Sequence, residues 1–190
     1  MNKTQYRVLW LLLFAGVSLA MAAAQAAKPG ATTQVTTARA AAPGTLDAAQ
    51  AFEKLKTLAG RWEGTSGEGI KGEAIYELTS GDSALLERMS ESGPEHTTMV
   101  TVYHLDGPRL LLTHYCATKN QPRMRAVSYS PENGTLAFEF LDATNLASPD
   151  VGHMHRAVYN FMDADHVTAQ WSWRQGGNEV THEFHYTRKH

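Results

Sequence analysis

The chain has little cysteine, no concentrated positive charge and no apolar run long enough to cross a bilayer. Of its 190 residues one is cysteine, Cys116, so no disulfide can form within the chain and packing alone must hold the fold. Lysine and arginine number 17 against 19 acidic residues, and basic residues cluster only in the tail Arg188-Lys189-His190. Without a basic tract to follow phosphates, a nucleic acid is not an expected partner.

The N-terminus has the order of regions typical of a secretory signal peptide. Two basic residues precede a nearly all-apolar run of 14 residues, Val8 to Met21, and small residues follow at once. A bilayer span needs roughly 18 to 20 apolar residues. Residues 1–26 are therefore predicted to be a signal peptide cut after an Ala-x-Ala pattern at 20–22 or 24–26, with an uncleaved anchor as the alternative. No cysteine lies near the cleavage region, which excludes a lipid anchor there.

The remainder divides into a linker and a folded domain. Residues 27–46 are mainly alanine, threonine, proline and glycine, without an aromatic residue, so a disordered linker is predicted. Residues 47–190 are long enough to bury a core. Loss of Lys3 and Arg7 leaves 15 basic against 19 acidic residues, a net charge of −4. The mature protein is expected in the periplasm or secreted, with no membrane span.

Turn-forming residues recur roughly every 12 residues along this domain. They cluster at 80–82, 92–94, 106–108, 119–122, 131–134, 163–165 and 175–178. Between these turns apolar and polar residues alternate, which is typical of half-buried strands. The pattern predicts nine or ten strands, at 60–66, 70–79, 84–91, 96–105, 109–117, 123–130, 134–141, 153–162, 165–174 and 178–188.

The strand pattern favours an all-β fold closed on itself. No helix of crossover length separates the strands, so an antiparallel sheet with neighbour-to-neighbour connections is expected. Closing the sheet removes two exposed edges, and a single up-and-down β-barrel is therefore predicted, with a β-sandwich as the alternative. One short helix is predicted before it, with Asp47 as N-cap and Phe52 and Leu55 at helical spacing.

The segment Gly60-Arg61-Trp62-Glu63-Gly64, at the start of the first strand, resembles the Gly-x-Trp entry of the calycins, which include lipocalins and the haem-binding nitrobindins. The layout of residues 50–188 also resembles small exported lipocalin-like domains of unassigned function. Nitrobindins extend the motif to Gly-x-Trp-x-Gly-x-Gly, whereas here Thr65-Ser66-Gly67 follows. The resemblance implies that Trp62 closes the floor of the barrel, and it assigns no haem-ligating histidine.

Strand alternation indicates which polar side chains face the interior. His114 and Cys116 are predicted to share one inward face, and His182 to lie inward on the last strand. Trp171 and Trp173 add two indoles to the same lining. An apolar and aromatic wall with a few polar groups is typical of a ligand site.

Two further features suggest chemistry at the barrel mouth. His153-Met154-His155 places two imidazoles on one strand, as in many zinc and iron sites, with His114 or His182 as the third ligand. The alternative is that both histidines line a wet mouth and bind nothing. The leading expectation is that the protein holds no cofactor, and the alternative is a bound metal ion or haem.

The segment from 113 to 124 is the densest polar cluster in the chain. Asn120 and Arg123 are predicted to lie at one rim of the cavity, where an arginine or an amide could bind a ligand carboxylate. The alternative is a loop in which the side chains of Asn120 and Gln121 form hydrogen bonds with the backbone of their own turn. On the third strand, Glu87 and Arg88 cannot both face inward.

The leading hypothesis is an exported, non-catalytic protein that binds or carries a small, largely apolar molecule. Catalysis has little support, because His114 and Cys116 do not form a nucleophile–base arrangement. The alternatives are a metal- or haem-dependent enzyme that uses the inward-facing histidines, and a structural envelope protein whose barrel is filled with side chains.

Overall fold

A computed structural model describes residues 46–92 and 97–190 of the chain. The predicted signal peptide and all of the predicted linker except Leu46 lie outside the described residues, and so do residues 93–96. The described chain contains one helix, α1 (Ala48–Lys56), followed by ten strands. Within these residues there is no helix with the length and apolarity needed to cross a bilayer.

The ten strands form one closed antiparallel barrel. They are β1 Gly60–Ser66, β2 Lys71–Thr79, β3 Ala84–Glu91, β4 Thr97–Asp106, β5 Arg109–Tyr115, β6 Gln121–Ser130, β7 Thr135–Thr144, β8 His153–Phe161, β9 His166–Gln175 and β10 Asn178–Lys189. Each strand pairs with the next, and β1 also pairs with β10 from Arg61↔Lys189 to Ser66↔Phe184. The predicted barrel is confirmed, as a fold consistent with a calycin or lipocalin-like architecture, and the sandwich alternative is wrong.

Strand bounds differ from the prediction by two residues on each side of the β5–β6 connection and by three residues at the end of β7. β5 ends at Tyr115 and β6 begins at Gln121, because residues between them form a tight turn. The N–H of Cys116 donates to Asn120 O at 3.1 Å, and the N–H of Lys119 donates back to Cys116 O at 2.9 Å. Cys116 therefore lies in the turn rather than on the strand.

Helix α1 forms where it was predicted. The Asp47 side chain accepts a hydrogen bond from the Gln50 N–H at 3.0 Å and caps the first turn. Phe52 and Leu55 are buried on its apolar face, which packs against β4, β5 and β6.

The two ends of the barrel differ. We call the end that carries α1 and the turns 80–83, 107–108, 131–134 and 162–165 the closed end, and the end that carries the turns 67–70, 116–120, 145–152 and 176–177 the open end. β1 begins and β10 finishes at the closed end. The candidate functional site lies towards the open end.

The closed end is sealed around Trp62. Its side chain is 1% exposed, and its indole N–H donates to Leu58 O at 2.7 Å. The Arg188 guanidinium lies over the ring at 4.2 Å from the centroid, and donates to Thr57 O at 2.7 Å and Ala59 O at 2.8 Å. Helix, first strand and last strand are thus joined at one point.

The middle of the barrel is filled by aromatic side chains. Tyr103, Phe138 and Tyr159 meet edge to face, with ring centroids 6.1 to 6.4 Å apart. All three are buried in the same core as Trp62 and Leu55. These rings therefore form the centre of the barrel core.

Candidate functional site

A row of polar residues crosses the barrel interior. Tyr76, Glu87, Thr101 and His114, on β2, β3, β4 and β5, are direct cross-strand neighbours. All four are buried. Buried polar groups require hydrogen-bond partners, and neighbours within the barrel supply several of them.

Glu87 is the centre of the row. Tyr76 donates to its Oε1 at 2.8 Å, and Tyr103 donates to its Oε2 at 2.6 Å. The Tyr159 hydroxyl lies 2.5 Å from that of Tyr103. Burial raises the pKa of Glu87, and the hydrogen bonds from Tyr103 and Tyr76 oppose this rise because they stabilise the charged form.

The tyrosines around Glu87 remain protonated. Burial, and after it the charge of Glu87, raises the pKa of Tyr76, Tyr103 and Tyr159 well above the ordinary value. Each phenol is therefore a hydrogen-bond donor at neutral pH. A carboxylate that collects several such donors is held in one fixed orientation.

His114 ends the row on the side of Trp171. Its Nδ1 lies 3.0 Å from Thr101 Oγ1, and its ring centroid lies 5.0 Å from that of Trp171. The residue is 2% exposed, and among the described residues its Nε2 has no hydrogen-bond partner. Burial lowers the pKa of His114 to about 4, so the ring is neutral at pH 7.

A second buried polar atom without a partner lies close by in the fold. Asn120 donates from Nδ2 to Gly152 O at 2.8 Å, which ties the β5–β6 turn to the β7–β8 connection. Its Oδ1 is buried and has no hydrogen-bond partner among the described residues. Gly152 lies under the Trp173 indole, where any Cβ would overlap with the ring. The predicted rim residue thus anchors two loops rather than its own turn.

The barrel is open to solvent above these residues. Val180 is the register partner of Trp173 on the inward face, yet it is 54% exposed. Trp173, His182 and Cys116 are partly buried, whereas Trp171 lies deeper and is buried. The inner face of the barrel is therefore partly accessible to solvent at this end.

His153 and His155 do not lie with this lining. A β-bulge between Met154 and Arg156 adds one residue to β8, so Met154 is the residue that pairs with Trp173. Such a bulge breaks the alternation on which the prediction relied. His155 instead lines an outer groove of about 310 Å³ with Phe140, Arg156, Arg174, Glu139 and Glu179.

The hydrogen bonds of this pair also limit metal binding. His153 Nδ1 lies 2.7 Å from Val151 O and its Nε2 lies 3.3 Å from His155 Nδ1, so both its nitrogens are engaged. Within residues 46–92 and 97–190, no three His, Cys, Asp or Glu side chains are grouped so that they could hold a metal. The predicted third ligands, His114 and His182, belong to the interior lining.

Arg123 does not lie at the rim of the cavity, where it was predicted. It lies on the outside of β6, half exposed, where its Nε donates to Asp142 Oδ1 at 2.6 Å and its Nη2 bonds to Oδ2. Alternating residues of a strand point to opposite faces, so the buried neighbours Pro122 and Met124 leave Arg123 outside. It is therefore not placed to grip a ligand carboxylate inside the barrel.

Glu87 and its tyrosines were not predicted as site residues. The sequence does contain a signal for Glu87. It occupies every second position of β3 together with the apolar residues Leu85 and Met89, so all three share one face of the strand. Because only one of Glu87 and Arg88 can face inward, this alternation predicts that Glu87 does. The chain matches no protein-family model, and no curated protein is significantly similar to it.

Proposed function

We propose that the protein binds or carries a small, largely apolar molecule at the open end of its barrel, without catalysing a reaction. The observation that carries this proposal is the buried, unpartnered Nε2 of His114 beside Trp171, beneath a mouth where Val180 is exposed. A closed β-barrel is compatible with ligand binding. A buried polar atom without a partner is unfavourable, and a bound molecule can supply the partner.

The apolar character of the ligand follows from the surroundings of His114. Trp171 and Trp173 lie on one side of the open end. Met89 and Met99 pair across β3 and β4 on the inward face, one step from Glu87 towards the same end. Methionine side chains adapt to ligands of different shape, and indoles supply large apolar contact areas.

The ligand is small, because the aromatic core fills the barrel from its middle to the closed end. A shallow site near the open end accommodates a short chain or a single ring system rather than a long lipid. The low pKa of His114 supports a binding role, since a base with a pKa of about 4 accepts protons poorly at neutral pH.

The proposal includes export. The N-terminal pattern favours a periplasmic or secreted protein, and the Gly-x-Trp entry with the closed barrel favours the specific resemblance to exported lipocalin-like domains. Neither a metal ion nor haem is part of the proposal.

The decisive experiment is a titration with N-phenyl-1-naphthylamine, a neutral apolar dye, observed through dye and tryptophan fluorescence. We expect saturable binding with a Kd in the micromolar range, about −8 kcal/mol. Gly152→Ala should weaken it several-fold, because the added methyl group displaces the Trp173 indole. Gly67→Ala is the matched control, since no atom lies within 4 Å of a Cβ built there.

The remaining outcomes separate the alternatives. Absence of saturable binding by the folded protein would refute the proposal and favour the filled-barrel structural role. A Soret band in the visible spectrum, or stoichiometric metal by elemental analysis, would favour the cofactor-dependent alternative. Equal weakening by both glycine variants would place the dye away from the open end.

A further inference from the structure

We infer that three side chains towards the open end form a binding site for a soft monovalent metal ion, Cu(I) or its analogue Ag(I). The donor atoms are the thioether sulfurs of Met89 and Met99 and Nε2 of His114. Soft sulfur ligands select Cu(I) over harder ions. The site differs from the predicted metal site at His153 and His155, because two of its three donors are thioethers. The inference goes beyond the proposed function, and either can fail without the other.

Met89 and Met99 lie side by side on the inward face. They are direct register partners on β3 and β4. Each residue is 8% exposed, yet neither belongs to the hydrophobic core cluster that contains Tyr103. Facing residues of neighbouring strands have Cβ atoms about 5 Å apart, and the methionine side chain rotates about three bonds. The two sulfurs can therefore approach one ion without a change of the backbone.

His114 supplies the third donor from the next strand. Met99 lies two residues before Thr101, the register partner of His114, so Met99 and His114 are diagonal neighbours on one face. Long side chains can span the distance between such neighbours. His114 Nε2 is buried and has no hydrogen-bond partner in the described part of the chain, so a metal ion can supply one. Its Nδ1 lies 3.0 Å from Thr101 Oγ1, which can accept the Nδ1 proton as outer partners of metal-bound histidines do.

The surroundings of these donors favour a cation. The ring centroid of Trp171 lies 5.0 Å from that of His114, and an indole ring attracts positive charge. Glu91 shares the face of Met89 on β3, two residues nearer the open end, and adds an acidic side chain there. Burial lowers the pKa of His114 to about 4, so a proton competes little with a metal ion at pH 7.

Cys116 is another soft donor of this region, but it is not one of the three. It follows Tyr115, the register partner of Val100, and so lies beside Met99 at the start of the β5–β6 turn. Its Sγ accepts a hydrogen bond from Thr118 Oγ1 at 3.1 Å, which directs the thiol into its own turn. Because a thiol binds soft metal ions by itself, a test of the site must separate Cys116 from the methionines.

Titration of metal-free Cys116→Ser with silver nitrate in chloride-free buffer tests the inference. Calorimetry and tryptophan fluorescence should show saturable binding of one Ag(I) per chain, with a Kd in the micromolar range or lower. X-ray absorption at the silver edge should show both sulfur and nitrogen bonded to the ion. Zn(II) should bind at least about tenfold more weakly than Ag(I), because it lacks the preference for thioether sulfur.

Leucine variants in this background assign the ion to the methionines. Met89→Leu and Met99→Leu nearly conserve volume, so the barrel should still fold. Each should weaken Ag(I) binding about tenfold or more, because loss of a ligand removes coordination energy. Met162→Leu, at the exposed methionine between β8 and β9, is the matched control and should leave binding unchanged. His114→Phe should weaken binding as well, and if it fails to fold, the two leucine variants still decide the matter.

The failures are distinguishable. Unchanged silver binding in both leucine variants, or Zn(II) binding as tight as that of Ag(I), would overturn the inference. Absence of saturable binding by folded Cys116→Ser would overturn it too, and binding by the natural chain alone would then assign silver to the thiol. N-Phenyl-1-naphthylamine is titrated into the same metal-free protein. Binding of the dye without silver would refute this inference alone, and binding of silver without the dye would refute only the proposed function.

Discussion

Trp62 and Arg188 are direct register partners on β1 and β10, and the guanidinium lies 4.2 Å from the centroid of the indole ring. The contact joins the first strand to the last at the closed end. Because Arg188 also donates to carbonyls of the segment that links α1 to β1, the pair holds three parts of the chain together.

Removal of the indole should destabilise the barrel strongly. Trp62→Ala deletes a large buried aromatic side chain, and we expect a loss of about 3 to 5 kcal/mol in the free energy of unfolding. Chemical denaturation followed by circular dichroism measures it. Met162→Ala, at a residue that is 68% exposed, is the control and should change stability by less than about 0.5 kcal/mol. An unchanged denaturation midpoint for Trp62→Ala would show that this Trp does not close the barrel.

The buried His114 should make stability depend on pH. Its pKa is lowered from an ordinary value of 6.5 to about 4, so the unfolded chain takes up a proton in this range before the folded protein does. The stabilisation is complete above pH 6.5 and is lost as the pH falls towards 4, by up to about 3 kcal/mol.

Comparison with His114→Phe isolates this contribution, because Glu87 and the surface carboxylates are present in both proteins. The difference in unfolding free energy between natural chain and variant should shift in favour of the variant as the pH falls from 7 to 4. Parallel pH profiles for the two proteins would mean that His114 titrates normally and is accessible to water.

The strands could be predicted from the sequence because turn residues and alternation are local signals. Nine or ten strands and a capped helix followed from them, and the ends of the ten observed strands differ from the predicted ends by at most three residues. The positions of His153 and His155 could not be predicted this way, since one residue inserted at the bulge changes which side chains face inward. The bond from Asn120 to Gly152 joins residues 32 apart, and no local pattern indicates it.

The double change His153→Ala/His155→Ala tests the metal hypothesis directly. His155 lines an outer groove and His153 is buried beside it, bonded to His155, so dye binding at the open end should stay within about twofold. Elemental analysis should give the same metal content for both proteins. Loss of a stoichiometric metal from the variant would restore the metal hypothesis, because removal of two ligands eliminates most of the coordination energy.

Export is tested by expression of the full chain in a Gram-negative host. The protein should be recovered from the periplasmic fraction, shortened by about 20 to 26 residues at its N-terminus, as intact-mass measurement would show. A control in which Leu11, Leu12 and Leu13 are replaced by aspartate should remain unprocessed. Recovery of the natural chain at full length in the soluble cytosol would contradict the predicted location.

The pairing of β1 with β10 also bears on how the chain acquires its fold. The strand that completes the barrel is the last of the ten, Asn178–Lys189, and its partner is the first, which begins at Gly60. Until the last strand is available, β1 keeps one row of backbone N–H and C=O groups unpaired. Contacts so distant along the chain form slowly, so we expect closure of the barrel to be a late step of folding. A chain of this kind stays open for longer than one built from local contacts, which would favour the export proposed above, because an open chain is the form that passes through a narrow translocation pore.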